Sequence, residues 1–194
     1  MSDKNPKILF LGYNNKQTKI IDALIQKNCE VTHCDSPIDF KGYDLIICFG
    51  YRHIISKKTI KSTHSPIINL HVSYLPFNKG AHPNFWSFYD NTPSGVTIHL
   101  IDEGLDTGPI IYQKRVFFSK SEIRFTDTYQ RLINEIEWLF IKNLDNILNG
   151  NWIAKPQVGD GSKHHSKELP KDFSGWNSII EKEIKRLKTL KKNE

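Results

Sequence analysis

Asn69 and His71 stand two positions apart at the end of an apolar run, Ser65-Pro66-Ile67-Ile68-Asn69-Leu70-His71. On an extended strand, residues i and i+2 share a face. The amide and the imidazole are therefore aimed at one reacting atom. An amide N–H stabilises a developing oxyanion, and an imidazole gives or takes a proton near neutral pH. A carboxylate on a neighbouring loop would fix the imidazole tautomer and stabilise its cation. Such a set suits acyl transfer to an amine: attack, a tetrahedral oxyanion, departure of the leaving group. By itself Asn-x-His is a short pattern, and a histidine at a strand end is more often structural.

The elements that must position these residues are legible. Residues 7–12, 30–34, 43–49 and 65–71 read as strands, and residues 16–27 place Ile20, Ala23, Leu24 and Lys27 at helical spacing. The run Tyr43-Asp44-Leu45-Ile46-Ile47-Cys48-Phe49, bounded by Gly42 and Gly50, suits a parallel strand covered on both faces. Two later strands are expected near residues 95–101 and 109–118, joined by Asp102-Glu103-Gly104-Leu105-Asp106-Thr107-Gly108. Residues 127–148 carry apolar side chains at a 3.6-residue period, with Gly150 placed as a C-cap. Strands alternating with helices predict an α/β fold with a parallel sheet. In such sheets ligands bind outside the carboxyl ends of the strands. Residues 50–53, 69–71 and 102–108 put polar groups there.

Composition sets the frame. The 194 residues include 38% hydrophobic and 25% charged side chains, enough for one domain with a core. No apolar run approaches a membrane span, and the short run 8–12 reads as a first strand rather than a leader, so the expected location is cytoplasmic. Three cysteines, Cys29, Cys34 and Cys48, without a Cys-x-x-Cys pair, argue against a disulfide framework or a zinc site. His164-His165 has no ligand cluster near it in sequence, and no metal is expected. Part of the net charge of +6 sits on residues 181–192, which read as a solvated helix face. No nucleic-acid reading motif is present.

The longer pattern is more specific. His71-Val72-Ser73-Tyr74-Leu75-Pro76 leads into Phe77-Asn78-Lys79-Gly80-Ala81-His82-Pro83. Gly95-Val96-Thr97-Ile98-His99 follows, and then Asp102-Glu103-Gly104-Leu105-Asp106-Thr107-Gly108. In this order and spacing the chain resembles the folate-dependent formyltransferases, over roughly residues 7–148. The resemblance implies a Rossmann-like catalytic domain over residues 1–150, a mostly parallel sheet flanked by helices, with a short helical C-terminal extension over 151–194. It implies Asn69, His71 and Asp106 as the catalytic trio and 10-formyltetrahydrofolate as donor. The pterin pocket would be formed by residues 49–54 and 101–106, with Phe49, Gly50, Tyr51, Ile54, Ile101, Asp102, Gly104, Leu105 and Asp106 in contact.

Within that family the chain is most similar to the short sugar N-formyltransferases. The loop after the first strand, Gly12-Tyr13-Asn14-Asn15-Lys16-Gln17, has a single glycine where glycinamide ribonucleotide formyltransferases carry a Gly-rich phosphate loop. The roughly hundred-residue tRNA domain of methionyl-tRNA formyltransferases and the N-terminal domain of the hydrolases do not fit. The acceptor implied is a nucleotide-linked amino-deoxysugar for surface polysaccharide such as O-antigen, with dTDP-4-amino-4,6-dideoxyglucose the nearest match. Tyr74, Asn78, Lys79, His82, Asn84 and Trp86 are the expected substrate contacts. Phe85 and Trp86, at helical spacing with Tyr89, read equally well as core. A homodimer is expected, with Phe117, Phe118, Phe125 and the apolar side of residues 127–148 as its interface. The rival readings are formylation of another amine (a ribonucleotide or aminoacyl-tRNA) and a non-catalytic folate or nucleotide sensor.

Overall fold

The computed structural model describes residues 5–192. Strands β1 (Lys7–Gly12), β2 (Glu30–Cys34), β3 (Leu45–Phe49) and β4 (Ile67–His71) pair in parallel, in the order β2-β1-β3-β4. Beyond β4 the direction reverses. Strand β6 (Gly95–Leu100) runs antiparallel to β4, and β7 (Ile110–Arg115) antiparallel to β6. A short two-stranded sheet joins β5 (Lys79–Gly80) to β8 (Lys163–His164).

The two faces of the main sheet are covered unequally. Ile8, Phe10, Ile47, Phe49, Ile68, Leu70, Val96 and Ile98 face α1 (Ile20–Gln26) and α4 (Phe125–Lys142), forming the main core. The carboxylate of Glu137, buried in α4, accepts Thr18 Oγ1 at 2.8 Å and the Lys19 N–H at 3.1 Å. It thereby sits at the start of α1, where free N–H groups and the helix dipole favour a negative charge. The opposite face is thinner. Leu9, Leu11, Ile46, Cys48 and Ile67 lie there under Phe40, Tyr51, Ile55, Ile101 and Ile60 of α2 (Lys57–Ser62). Because strand side chains alternate, Asn69 and His71 share this thin face with Ile67, as do Thr97 and His99 of β6.

The long helix expected over 127–148 is two helices, α4 and α5 (Leu144–Leu148). Asn143 leaves helical geometry at φ −106° and caps α4, its Nδ2 donating to Leu139 O at 2.7 Å. The C-terminal extension packs onto the catalytic domain. Ile180 and Leu187 of α6 (Ile180–Leu190) are buried with Phe85 and Trp86 of α3 (Pro83–Tyr89) and with Phe125, and Phe173 packs against them. This also corrects the expected subunit interface. Phe125 is fully buried and Phe118 packs against the main core, which leaves Phe117, 73% exposed, as the one free aromatic of those three.

Candidate active site

The pairing of β4 with β6 sets Asn69 directly opposite His99, and His71 opposite Thr97. Leu100 N–H bonds to Pro109 O at 2.9 Å, closing the base of the 101–108 loop. Because β6 is antiparallel, that loop leaves from the amino end of β4 and doubles back over the thin face of the sheet. It does not rise from a shared carboxyl edge. Its tip brings Asp106 over β4. Asp106 Oδ1 accepts from Asn69 Nδ2 at 3.1 Å, and Oδ2 accepts the Gly80 N–H at 2.8 Å. His71 Nδ1 lies 3.6 Å from Oδ2 and His99 Nε2 lies 3.5 Å from Oδ1.

Burial pushes the Asp106 carboxyl up, but the pull of His71 and His99 in their protonated forms, the bond His99 donates in that form and the Gly80 N–H outweigh it. The net effect holds it well below the usual carboxylate range, so Asp106 is an anion at any working pH. This charge sorts the neighbours. A carboxylate only accepts, so Asn69 must turn its amide nitrogen, not its oxygen, toward Asp106. The second N–H of Asn69 reaches His99 Nε2 at 3.2 Å. His99 Nδ1 sits 2.7 Å from Leu100 O, a pure acceptor, which places a proton on Nδ1 and, in the neutral ring, leaves Nε2 able to accept. By the same logic His71 Nε2, 3.0 Å from Asn78 O, carries a proton. In neutral His71 the bare nitrogen is Nδ1, the one that faces Asp106. Its separation exceeds hydrogen-bond length, leaving room for a proton to arrive.

Residues 50–55 and 101–107 flank this cluster. Lys57 and Lys61 of α2 pair with Glu103 at 3.2 and 3.1 Å, tying the two loops together at their outer ends. Gly50 takes φ +72°, and a Cβ there would come within 2.5 Å of the Tyr13 ring. Ile54 is 95% exposed and Leu105 40% exposed. Asp102 Oδ1 accepts from the Gly104 N–H at 2.9 Å and Thr107 Oγ1 at 2.6 Å, which winds the loop tightly. Tyr51 and Ile101 pack on the thin face. The Phe49 side chain points the other way, into the α1/α4 core, and is 1% exposed. It is corrected from a ligand contact to a core residue.

Residues 32–144, over half of the chain, match the formyl transferase family. The chain belongs to that family. The formyltransferase PseJ from Anoxybacillus kamchatkensis, solved with UDP-4,6-dideoxy-4-formamido-L-AltNAc and tetrahydrofolate, is 40% identical. The match covers 91% of this chain and 96% of PseJ, with a TM-score of 0.82. The dTDP-4-amino-4,6-dideoxyglucose formyltransferase of Mycobacterium tuberculosis strain H37Rv is 31% identical over 131 residues, 68% of this chain and 53% of its own. A methionyl-tRNA formyltransferase of Thermodesulfovibrio yellowstonii is 32% identical over 142 residues, 72% of this chain and 45% of its own. The chain spans about half the length of these two curated relatives.

In this member of the formyl transferase family the expected acceptor contacts separate into two groups. Lys79, whose Nζ reaches Asp160 O at 3.4 Å, and Tyr74 are half-buried. Asn78 and Asn84 are turned inward. Asn78 is fully buried, donating to Thr92 Oγ1 at 2.8 Å and accepting from Ser162 Oγ at 3.1 Å, while Asn84 donates to Phe125 O at 3.0 Å. Trp86 is stacked flat on His164, with ring centres 3.9 Å apart, and is unavailable to a nucleobase. His82 faces Trp176 at 5.3 Å, and burial pulls its pKa down, favouring the neutral ring. These four serve the packing of the loop, the first three because their side chains are already engaged by the protein. His164 Nε2 also lies 2.9 Å from Asp90 Oδ2, close enough for an ion pair though not aligned as a hydrogen bond. Among the described residues no group of side chains is arranged to hold a metal, and no helix is long and apolar enough to cross a membrane.

Sequence reasoning passed over His99 and Gln157. His99 closes the Gly95-Val96-Thr97-Ile98-His99 run, two residues from Thr97 on the same face, and only its register with Asn69 reveals its place. Gln157 Nε2 donates to Asp106 O at 2.8 Å and Gly108 O at 2.9 Å from outside the family match. No local pattern marks it.

Proposed function

We propose that the protein transfers the formyl group of 10-formyltetrahydrofolate to the 4-amino group of a nucleotide-linked 4-amino-4,6-dideoxysugar. The observation that carries the reaction is the Asp106 carboxylate set 3.6 Å from His71 Nδ1, with the amide of Asn69 bound to the same carboxylate. The acceptor class is supported by PseJ, similar along nearly all of both chains, and by the mycobacterial enzyme. The compounds in their names share a nitrogen at C4 of a 4,6-dideoxyhexose on a nucleoside diphosphate. For the donor, Ile54 and Leu105 stand out from two tethered loops beside a buried carboxylate, a lining that fits a flat heterocycle.

Bound 10-formyltetrahydrofolate would supply the formyl carbon as electrophile and N10 as leaving group. His71 takes the proton of the attacking amine on Nδ1, and the imidazolium so formed rests against Asp106. Asn69 keeps one N–H on Asp106 and lends the other, held by His99 in this structure, to the oxyanion. His71 returns its proton to the departing nitrogen, so proton count and charge close over the cycle. Lys79 is the residue proposed to meet the pyrophosphate, and Gly50, Tyr51, Ile54, Ile101, Gly104 and Leu105 line the donor groove. A homodimer remains part of the proposal, and sedimentation at micromolar concentration tests it.

The deciding experiment incubates the protein with 10-formyltetrahydrofolate and, in parallel, the UDP-linked 4-amino-altrose and the dTDP-linked 4-amino-glucose compounds. A product heavier by CO in either tube supports the reading, and the faster tube names the nucleotide sugar. Formylation of methionyl-tRNA or glycinamide ribonucleotide in place of both sugars overturns it. Asn69→Ala is expected to lose roughly a hundred- to a thousand-fold in turnover while staying folded, as for one oxyanion donor removed.

A further inference from the structure

The segment over residues 155–164 bonds to Asp106 directly and reaches His71 through Asn78. It is anchored at one end by reciprocal bonds between Lys155 and Ile110 at 2.8 and 2.7 Å, on the outer side of β7. At the other end β8 pairs with β5, and Gly161, at φ +65°, lies so close to Pro76 that a Cβ would meet its carbonyl oxygen at 2.0 Å. Between these anchors, both protons of the Gln157 amide are used on the carbonyls of Asp106 and Gly108, which flank Thr107. Ser162 Oγ accepts the Asn78 N–H at 2.8 Å and donates to Asn78 Oδ1 at 3.1 Å. The carbonyl of that same Asn78 receives His71 Nε2.

Asp106 has reason to need such a hold. It is a non-glycine residue at φ +51°, in the left-handed region that a side chain with a Cβ occupies at a cost. Its carboxylate depends on this backbone geometry to reach Asn69 and Gly80 at once. The orientation of Gln157 is not arbitrary. Reversing its amide would set an oxygen against two carbonyl oxygens, whereas as placed Oε1 is buried with no hydrogen-bond partner. The side chain accepts an unpartnered oxygen in order to keep both donors on the loop.

We propose that Gln157 is a positioning residue for formyl transfer, acting through the backbone of Asp106 to hold its carboxylate against His71. This rests on the proposed reaction and adds to it a residue outside the segment that matches the family. A misplacement of about an ångström in reacting groups costs on the order of a hundred-fold. Gln157→Met, which keeps the volume and removes both donors, is expected to lower kcat by about that factor, with KM for donor and acceptor changed less than about threefold.

A double-mutant cycle with Asp106→Asn tests the route. If Gln157 works through Asp106, Gln157→Met adds less than about threefold to the loss already caused by Asp106→Asn. Multiplying losses, or an unchanged kcat in the single variant, overturns the proposal while leaving the reaction standing. If the wild-type protein formylates neither sugar, the reaction is what fails. The positioning role is then read from the 15N resonances of the His71 ring, which should shift between wild type and Gln157→Met if the pair is displaced. Identical His71 resonances overturn it. Should Gln157→Met not fold, Gln157→Glu, isosteric and lacking both N–H donors, carries the same measurements.

Discussion

Asp106→Asn is the sharpest test of the proposed chemistry. The substitution keeps shape and removes charge. Its rate effect follows from the 3.6 Å separation between His71 Nδ1 and Asp106 Oδ2, with both side chains largely buried. At an effective dielectric of about 20, an imidazolium and a carboxylate at that distance attract by about 5 kcal/mol. Since about 1.4 kcal/mol is a factor of ten, losing that attraction as the proton arrives lowers kcat by three to four powers of ten. Neutralising the buried aspartate of a serine-protease triad has a similar effect, roughly ten-thousand-fold. Stability should change far less. Whichever way the new amide turns, its NH2 meets a donor, either the Gly80 N–H or Asn69 Nδ2. One buried donor left unpaired costs about 1–3 kcal/mol, or roughly 2–12 °C in Tm for a chain of this size. The pH dependence has a definite sign. A carboxyl depressed on folding contributes stability above its unfolded pKa of about 3.9, and loses it as the pH falls through the lower folded value. Wild type should therefore shed stability below about pH 4, and the variant should shed less. The assay is steady-state formylation beside thermal melts at pH 7 and pH 3. A folded Asp106→Asn protein with more than a tenth of wild-type kcat would refute the charge-pairing role.

Three further outcomes are expected. His99→Leu removes the acceptor that holds the second Asn69 N–H and should lower kcat by about tenfold, the worth of roughly one hydrogen bond. His99→Gln should recover most of that, and equal losses in both would remove His99 from the site. Gly80→Ala places a Cβ 2.3 Å from His164 O at φ +88°. It should cost at least about 2 kcal/mol by strain and by disturbing the bond to Asp106, so an unchanged melting curve would contradict the packing of β5 on β8. Of the cysteines, hydrogen bonds to Ser36 lower the Cys34 thiol pKa, whereas burial raises Cys48 to about 12. At pH 8 iodoacetamide should modify Cys34 first and reach Cys48 only on unfolding, with mass spectrometry locating the label.

The parallel half of the fold was legible because burial leaves a mark on sequence. The runs that became β1 and β3 are apolar without alternation, as strands covered on both faces must be, and the period of residues 127–148 matched the buried stripe of α4. The reversal at β6 left no such mark. A strand has the same two-residue period whether its neighbour runs parallel or antiparallel, so Gly95-Val96-Thr97-Ile98-His99 carries no sign of direction. That reversal sends the 101–108 loop back over the sheet and brings His99 beside Asn69, a neighbour that the motif containing His99 does not reveal. Trp86, Asn78 and Asn84 failed in the opposite sense. Their types suit ligand contact, but one stacks on His164 and the others bond to Thr92, Ser162 and Phe125, partners up to 84 positions away.

The polar tail shows why such distant partners escape a reading by pattern. Residues 155–164 contain few apolar side chains, so periodicity assigns them to the surface. Their contribution is made instead by hydrogen bonds: Gln157 to the loop of Asp106, Ser162 to the residue that orients His71. A hydrogen bond asks only for a donor and an acceptor, and every polar side chain offers at least one of them, so composition cannot tell a solvated tail from one that fastens the site. The geometry can, since left-handed Asp106 and the unpartnered Oε1 of Gln157 are each unfavourable alone. Their cost is offset by what they jointly hold, a carboxylate set against an imidazole.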